Sequence, residues 1–266
     1  MLKDITIGQY FPGSSSIHRF DPRLKIIVML IFIISLFFIT SFVPYIFVVL
    51  YLGLIVKVSG IPPKMILKGL KPLRWIILIT FLINVFFTGG REIFSVWKLT
   101  MTYEGLYQAT FMAIRLVLLV IGTSLLTLTT SPIELTDGLE KLLSPLKKIG
   151  LPAHELAIMM TIALRFIPTL IEETDKITKA QMARGADFES GNILRRARNL
   201  VPLLVPLFLN GIQRATELAT AMEARCYRGG EGRTKLKELK LDKEDIVLFT
   251  GNLIFFGIII AWRYIF

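Results

Sequence analysis

Two arginines in similar short stretches are the side chains of this sequence best placed to bind another molecule. Each follows an alanine, precedes a small residue and ends a long helical pattern, in Ala183-Arg184-Gly185 and Ala224-Arg225-Cys226. The two arginines lie 41 positions apart. A guanidinium donates to carboxylates and carbonyls through a rigid fork, and a small neighbour lets a helix end approach another backbone closely. The repeat therefore predicts two docking tips, for two partner subunits or for two copies of one.

A local interpretation of each arginine stands beside this one. A cation near the carboxyl end of a helix is stabilised by the helix dipole, and Gly185 is a residue typical of the position that follows a helix end. For a single stretch this local role would be the better explanation. The recurrence at the ends of two successive long amphipathic patterns favours docking.

The sequence offers no arrangement of side chains typical of catalysis. His18 and His154 are isolated, and Cys226 is the single cysteine, which argues against a metal site or an internal disulfide. The glycine-rich segment 229–232 lacks the spacing of a phosphate-binding loop. We therefore expect no catalytic residue, no metal, no cofactor and no enzymatic activity of the chain's own.

The composition indicates an integral membrane protein. The 266 residues are 53% hydrophobic, and the mean hydropathy is +0.63, which is too apolar for an ordinary soluble domain. The formal net charge of +11 is explained by basic residues that flank membrane spans on the cytoplasmic side. A nucleic-acid partner is therefore not expected, and the lipid bilayer is.

The apolar segments predict about five transmembrane helices. Residues 26–56 carry no charge, and Pro44 favours a break within them, so we predict a hairpin of two spans, with one strongly tilted span as the alternative. The predicted spans are 24–40, 43–58, 75–87, 106–130 and 246–260. The fold class is therefore all-α and polytopic, in a multi-pass protein of the cell membrane.

Charge sets the predicted orientation. The segment 57–74 has five basic residues and no acidic one, so we expect a cytoplasmic loop there. The loop 91–104 is neutral, includes a short strand at 93–97 and is expected outside, which leaves the N-terminus cytoplasmic and the C-terminus extracytoplasmic. Arg115 lies inside a span, where it either contacts a membrane partner or, as we favour, snorkels or pairs with Glu104 or a carbonyl.

A stretch of amphipathic helices separates the fourth span from the last one. We predict helices over 132–148, from Ala153 to about Gly185, and from 193 to 225 with a kink or restart at two prolines. The segments 156–171 and 199–213 are apolar but short for a crossing, and a cytoplasmic position for both keeps the two arginine stretches on one side. The predicted domains are a membrane domain at 1–130, a cytoplasmic module at 131–243 and a last span at 244–266.

Several of these stretches together resemble one protein family. The sequence is similar to the transmembrane coupling proteins of energy-coupling factor (ECF) transporters, the EcfT/CbiQ family, over nearly its whole length. The stretches that carry the resemblance are Leu164-Arg165-Phe166-Ile167-Pro168, Ala180-Gln181-Met182-Ala183-Arg184-Gly185 and Glu223-Ala224-Arg225-Cys226. The last departs from the family's Ala-Arg-Gly pattern at Cys226, which keeps a small side chain but leaves the geometry of the helix end open.

The resemblance implies a function in coupling. In the family, the two Ala-Arg-Gly elements end coupling helices that dock onto two ABC-type ATPase subunits, and a separate membrane S component binds the vitamin or metal. By that likeness the docking residues are Ala183, Arg184, Gly185, Ala224, Arg225 and Cys226. The S component is expected to contact the apolar face that includes Met159, Met160, Phe166 and Leu170, together with 199–209, although ordinary helix packing explains these residues equally well.

A rival class of function is a self-sufficient secondary transporter with a binding site among its own spans. It would need polar or ionisable groups at mid-membrane, and the sequence offers only Arg115, Asn84 and a few Ser and Thr residues. The coupling subunit is the better prediction.

Overall fold

A computed structural model describes residues 10–96, 99–188, 192–229, 239 and 241–265. Over these residues the chain is all-α apart from one short hairpin. Its helices are α1 (Ser16–Arg19), α2 (Pro22–Phe38), α3 (Phe42–Ser59), α4 (Pro63–Leu70), α5 (Arg74–Phe87), α6 (Tyr103–Thr129), α7 (Pro132–Leu143), α8 (Ala153–Ala183), α9 (Ile193–Ala224) and α10 (Lys243–Ile265). The hairpin strands are β1 (Glu92–Val96) and β2 (Leu99–Thr102), which pair antiparallel, and a 3₁₀ helix, Ser144–Ile149, follows α7.

The described residues form two compact units, drawn from 8–139 with 239–266 and from 140–238. The first unit, which we call the membrane unit, packs α2, α3, α6 and α10 around one apolar core. Its most buried members include Phe32, Leu36, Val48, Leu128 and Phe256. The α2–α6 contact is close because Gly122 lies against the ring of Phe32, where a β-carbon would collide.

Among the described residues, length and apolar composition give four helices that could cross a membrane, or five if the bent pair α4–α5 forms one span. The four are α3, α6, α8 and most of α10, and α2, with 17 residues, lies at the short end of the usual range. The predicted all-α polytopic class is confirmed. The count includes α8, which we had predicted in the cytoplasm, and does not include α2, which we had predicted as a span.

Local capping signals in the sequence are confirmed at several helix ends. Asp21 caps α2 and accepts from the Arg23 backbone N–H at 2.8 Å, with Pro22 in the first turn. Ser131 and Glu134 form a reciprocal capping box at α7, with both backbone-to-side-chain bonds at 3.2 Å. The break between α2 and α3 confirms the prediction of two helices over a single tilted one.

Three predicted details were wrong. The basic segment 57–74 is not all loop, because it contains α4. The helix predicted over 132–148 ends at Leu143 and tightens into the 3₁₀ helix, since Pro145 lacks the N–H that would continue it. Of the kink or restart predicted at Pro202 and Pro206, the restart does not occur, because α9 is unbroken.

The membrane unit also contains a buried polar cluster where α2 begins. Asp21 forms an ion pair with Arg23 at 2.6 Å, and its backbone N–H donates to Asp245 of α10 at 3.3 Å. Burial raises the pKa of Asp21, but the hydrogen bonds and charge of Arg23 outweigh it and hold that pKa below its ordinary value. The hydrogen bond from the Asp21 N–H to Asp245 therefore links the first turns of α2 and α10.

Arg115 is satisfied within the membrane unit. Its guanidinium donates to the Ile39 carbonyl at 3.0 Å and to the Tyr45 hydroxyl at 3.1 Å, and it lies 4.9 Å from the centre of the Phe111 ring. The favoured prediction, that Arg115 pairs within the chain, is confirmed for the carbonyl partner. It is not confirmed for Glu104, whose carboxylate accepts from the Arg91 backbone N–H.

Candidate docking sites at two helix ends

The carboxyl end of α8 is closed by a Schellman motif, the pattern in which two backbone N–H groups fold back onto the last turn. The Gly185 N–H donates to the Met182 carbonyl at 2.9 Å, and the Ala186 N–H donates to the Gln181 carbonyl at 3.0 Å. Gly185 has a φ of 87°, a left-handed conformation that glycine adopts without steric cost. Arg184 is the last residue before this turn, so its side chain leaves the helix at its tip.

The end of α9 repeats this motif bond for bond. The Cys226 N–H donates to the Glu223 carbonyl at 2.9 Å, and the Tyr227 N–H donates to the Met222 carbonyl at 3.0 Å. Cys226 has a φ of 58° and is the one non-glycine residue with a positive φ among those described. The substitution of cysteine for glycine therefore leaves the cap geometry unchanged, and the left-handed backbone costs about 1 kcal/mol at this residue.

Both tips are open to solvent. All six predicted docking residues are exposed: Ala183, Arg184, Gly185, Ala224, Arg225 and Cys226. Within the described part of the chain, neither the Arg184 nor the Arg225 guanidinium makes an ion pair or a side-chain hydrogen bond. Two arginines with free donor groups are thus presented at the ends of two long helices.

An ion pair that the sequence analysis missed joins the two helices. Arg214 of α9 donates to the Glu173 carboxylate of α8. The side chains are 33% and 16% exposed respectively, so the carboxylate is the more deeply buried partner. Its second oxygen, Oε2, is buried and has no hydrogen-bond partner among the residues that the structure describes, which makes this carboxylate dependent on Arg214.

Two further polar contacts show how the helices run. The Gln181 side chain donates to the Pro202 carbonyl at 3.4 Å, and the Asn199 side chain donates to the Asp187 carbonyl at 2.5 Å. Later residues of α8 therefore meet earlier residues of α9, and the helices are antiparallel. The Pro202 carbonyl is free to accept because Pro206, four residues on, has no N–H to donate within the helix.

The ion pair is equally far from both tips along the chain. Glu173 precedes Arg184 by 11 residues, and Arg214 precedes Arg225 by 11 residues. At 1.5 Å per residue, each tip lies about 16 Å from the ion pair, and the antiparallel course directs the tips oppositely. The two arginines are therefore separated by a distance on the order of 30 Å.

The apolar surface predicted as a second interface is exposed in part. Met159 and Met160 are 56% and 42% exposed, whereas Phe166 and Leu170 are half-buried. A more continuous exposed apolar face lies on α9, within the predicted range 199–209. Its members are Leu200, Val201, Leu204, Val205, Phe208 and Leu209. A face of this size marks a surface for lipid or for another protein.

Comparison with known proteins places these features in a family. The family model for the cobalt transport protein CbiQ matches residues 13–236. Curated relatives are named energy-coupling factor transporter transmembrane protein EcfT. The one from Clostridium kluyveri is 60% identical over 93% of this chain and 92% of its own length. The one from Ruminiclostridium cellulolyticum is 52% identical over the full length of both, and the one from Bacillus subtilis is 47% identical over 99% of this chain and 100% of its own length.

The matched range includes residues of both compact units and the positions of both arginine tips. The resemblance that the sequence motifs carried is confirmed. On these identities and this coverage, the chain belongs to the CbiQ/EcfT family of transmembrane components of energy-coupling factor transporters.

Proposed function

We propose that the chain is the coupling subunit of an ECF-type ABC importer. Its two arginine tips dock onto two partner subunits that hydrolyse ATP, and its helices transmit their movement to a separate substrate-binding membrane subunit. The observation that carries this proposal is the pair of matching Schellman ends, each presenting one exposed arginine that has no side-chain partner in the described part of the chain. Two equivalent tips suit two equivalent or paralogous ATPases.

The geometry of α8 and α9 supplies a mechanism. The Glu173–Arg214 ion pair serves as the fixed point between two arms of equal length, about 16 Å each. When the ATPases move together or apart, the docked tips follow and the angle between the helices changes. The exposed apolar face of α9 then moves with its arm, and a substrate-binding subunit seated on it and on Met159 and Met160 reorients in the membrane.

The side of the membrane follows from the same proposal. Cytoplasmic ATPases require both tips in the cytoplasm, so 131–243 forms the cytoplasmic module between the membrane domain of 1–130 and the last span of 244–266. The basic segment 57–74 then lies on the same side, as the distribution of positive charge favours. The N-terminus is cytoplasmic, and the C-terminus is extracytoplasmic.

Polar groups in the spans give little support to a self-sufficient transporter. Arg115 is occupied by the Ile39 carbonyl and the Tyr45 hydroxyl, and the Asn84 side chain donates to the Thr80 carbonyl of its own helix at 2.8 Å. A binding site among the spans would need such groups free to meet a substrate.

Charge reversal at both tips tests the docking proposal. In membranes that contain the full complex, Arg184→Glu with Arg225→Glu should leave the chain inserted but remove the ATPases from the purified complex, because carboxylates on the partners would then be repelled. The matched control is Lys176→Glu with Arg198→Glu, which reverses one exposed cation on each helix away from the tips. Equal recovery of ATPases from both double variants would refute docking through the tips.

A further inference from the structure

The membrane unit has an apolar groove on the surface between α5 and α6. Its cavity volume is about 310 Å³, which lies at the lower end of the range of ligand clefts. The lining residues are Leu70, Ile77, Leu78, Phe81, Ala113 and Val117, with Arg74 at one end. The groove thus follows about two turns of α5 and has a single charged residue, which defines one polar end.

The polar end of the groove is strongly and uniformly basic. Arg74 is the first residue of α5 and is exposed, and Lys71 precedes it by three residues and is also exposed. No acidic residue lies anywhere in 57–74, and no ion pair involves Arg74 or Lys71 within the described residues. The groove therefore ends at Arg74, and Lys71 follows the lining residue Leu70 in the chain. Neither cation has a carboxylate partner among the described residues.

Helix α4 extends this basic surface away from the groove. It is bent by 58° relative to α5, and its buried face holds Ile66 and the close approach of Gly69 to Ser124 of α6. Lys64 and Lys68 lie on the exposed face. A short amphipathic helix with lysines on its polar face, turned away from the adjoining span, has the character of a helix at the membrane surface.

An aromatic side chain lies beside the basic end of the groove. Trp75 is 61% exposed, and the Arg74 guanidinium lies 5.6 Å from the centre of its ring. Tryptophan is enriched where the hydrocarbon of a bilayer meets the headgroups. The basic end of the groove therefore coincides with a residue typical of headgroup depth, and the apolar lining continues from there along the spans.

We propose that this groove binds an anionic phospholipid, with one acyl chain along α5 and α6 and the phosphate between Arg74 and Lys71. The apolar lining matches an acyl chain, and the two unneutralised cations match an anionic headgroup. A zwitterionic lipid carries its own cation and leaves this charge unmatched. The site lies wholly within the membrane unit and depends on neither arginine tip.

Native mass spectrometry of the purified chain tests the site. The chain is equilibrated in micelles that contain equal amounts of phosphatidylglycerol and phosphatidylcholine, and the retained lipid is identified. Wild type should retain phosphatidylglycerol in preference. Arg74→Gln and Lys71→Gln should each weaken that retention about fivefold, the factor that corresponds to about 1 kcal/mol per cation near a lipid headgroup.

Two groove-filling variants separate a bound lipid from general attraction to charge. Leu78→Trp and Ala113→Phe keep all cations but occupy the acyl-chain path, and Leu78 is 45% exposed, so its replacement leaves the core intact. Both should lose phosphatidylglycerol, whereas the control Arg91→Gln, an exposed cation beyond the other end of α5, should retain it. Equal retention of the two lipids by wild type, or wild-type retention by Leu78→Trp, would overturn the proposal.

Discussion

Glu173 and Arg214 form the ion pair between α8 and α9 at a point 11 residues before Arg184 and 11 residues before Arg225. The spacing makes the two helices equal arms on either side of one polar contact. In a coupling subunit, equal arms would let two ATPases act on the chain with equal leverage. The ion pair is therefore the contact about which the proposed change of angle between α8 and α9 would occur.

Replacement of Arg214 should lower the stability of the protein more than replacement of Glu173. Arg214→Met leaves a carboxylate that is mostly buried, with Oε2 already unpartnered, and should destabilise the module by about 1–3 kcal/mol. Glu173→Met leaves an arginine that reaches solvent more easily and should cost less. Thermal unfolding of both variants in the same detergent measures the difference. An equal or larger loss for Glu173→Met would contradict this assignment.

The same ion pair should matter for coupling without affecting docking. Glu173→Arg with Arg214→Glu restores opposite charges across the crossing, so this double variant should recover transport relative to either single reversal. The ATPases should co-purify with all three variants, because the tips are unchanged. Transport by the reconstituted complex and recovery of ATPases are the two measurements. Loss of ATPase recovery in the single reversals would assign the ion pair to docking instead.

Cys226 should be a strained position that glycine relieves. Since its φ is 58°, Cys226→Gly should raise the free energy of unfolding by up to about 1 kcal/mol, and Gly185→Ala should lower it by about as much. Cys226→Ala should be nearly neutral because alanine has the same steric conflict. Thermal melting of the three variants checks the order. A stabilising Gly185→Ala would show that the left-handed turn is not maintained.

Asp21 should make stability depend on acid pH. Its pKa is lowered in the folded chain, since burial, which raises it, is outweighed by hydrogen bonds and charge from Arg23. The folded state therefore binds fewer protons than the unfolded state in this pH range. The contribution of the ionised carboxylate to the free energy of unfolding is complete above its ordinary pKa of 3.8 and is lost as the pH falls through its lower pKa in the folded chain. Asp21→Asn keeps the cap but should cost about 1–2 kcal/mol at pH 7.

Melting of wild type and Asp21→Asn between pH 7 and pH 3 measures that contribution. The difference between the two proteins should be constant at neutral pH and should shrink below the ordinary pKa of 3.8. A difference that stayed constant throughout would show that Asp21 is not held ionised by Arg23.

The features predicted correctly from the sequence are those that depend on residues close together in the chain. The cap at Asp21, the box formed by Ser131 and Glu134, and the turn at Gly185 each depend on side chains within four positions, and all were found. The Glu173–Arg214 ion pair depends on where two helices cross, which residue periodicity does not specify. The left-handed Cys226 was also out of reach, because a cysteine gives no local signal for a positive φ and only the repeat of α8 suggests it.

Accessibility labelling of the two tips tests the central claim most directly. Cys226 is the single cysteine and is exposed, so it reports on the α9 tip in the native chain, and Arg184→Cys in a Cys226→Ser background reports on the α8 tip. When the chain is expressed without its ATPases, so that the tips are uncovered, a membrane-impermeant maleimide should label neither position in intact cells and both in inside-out vesicles. Labelling of one position from each side would place the tips in different compartments and would contradict the account.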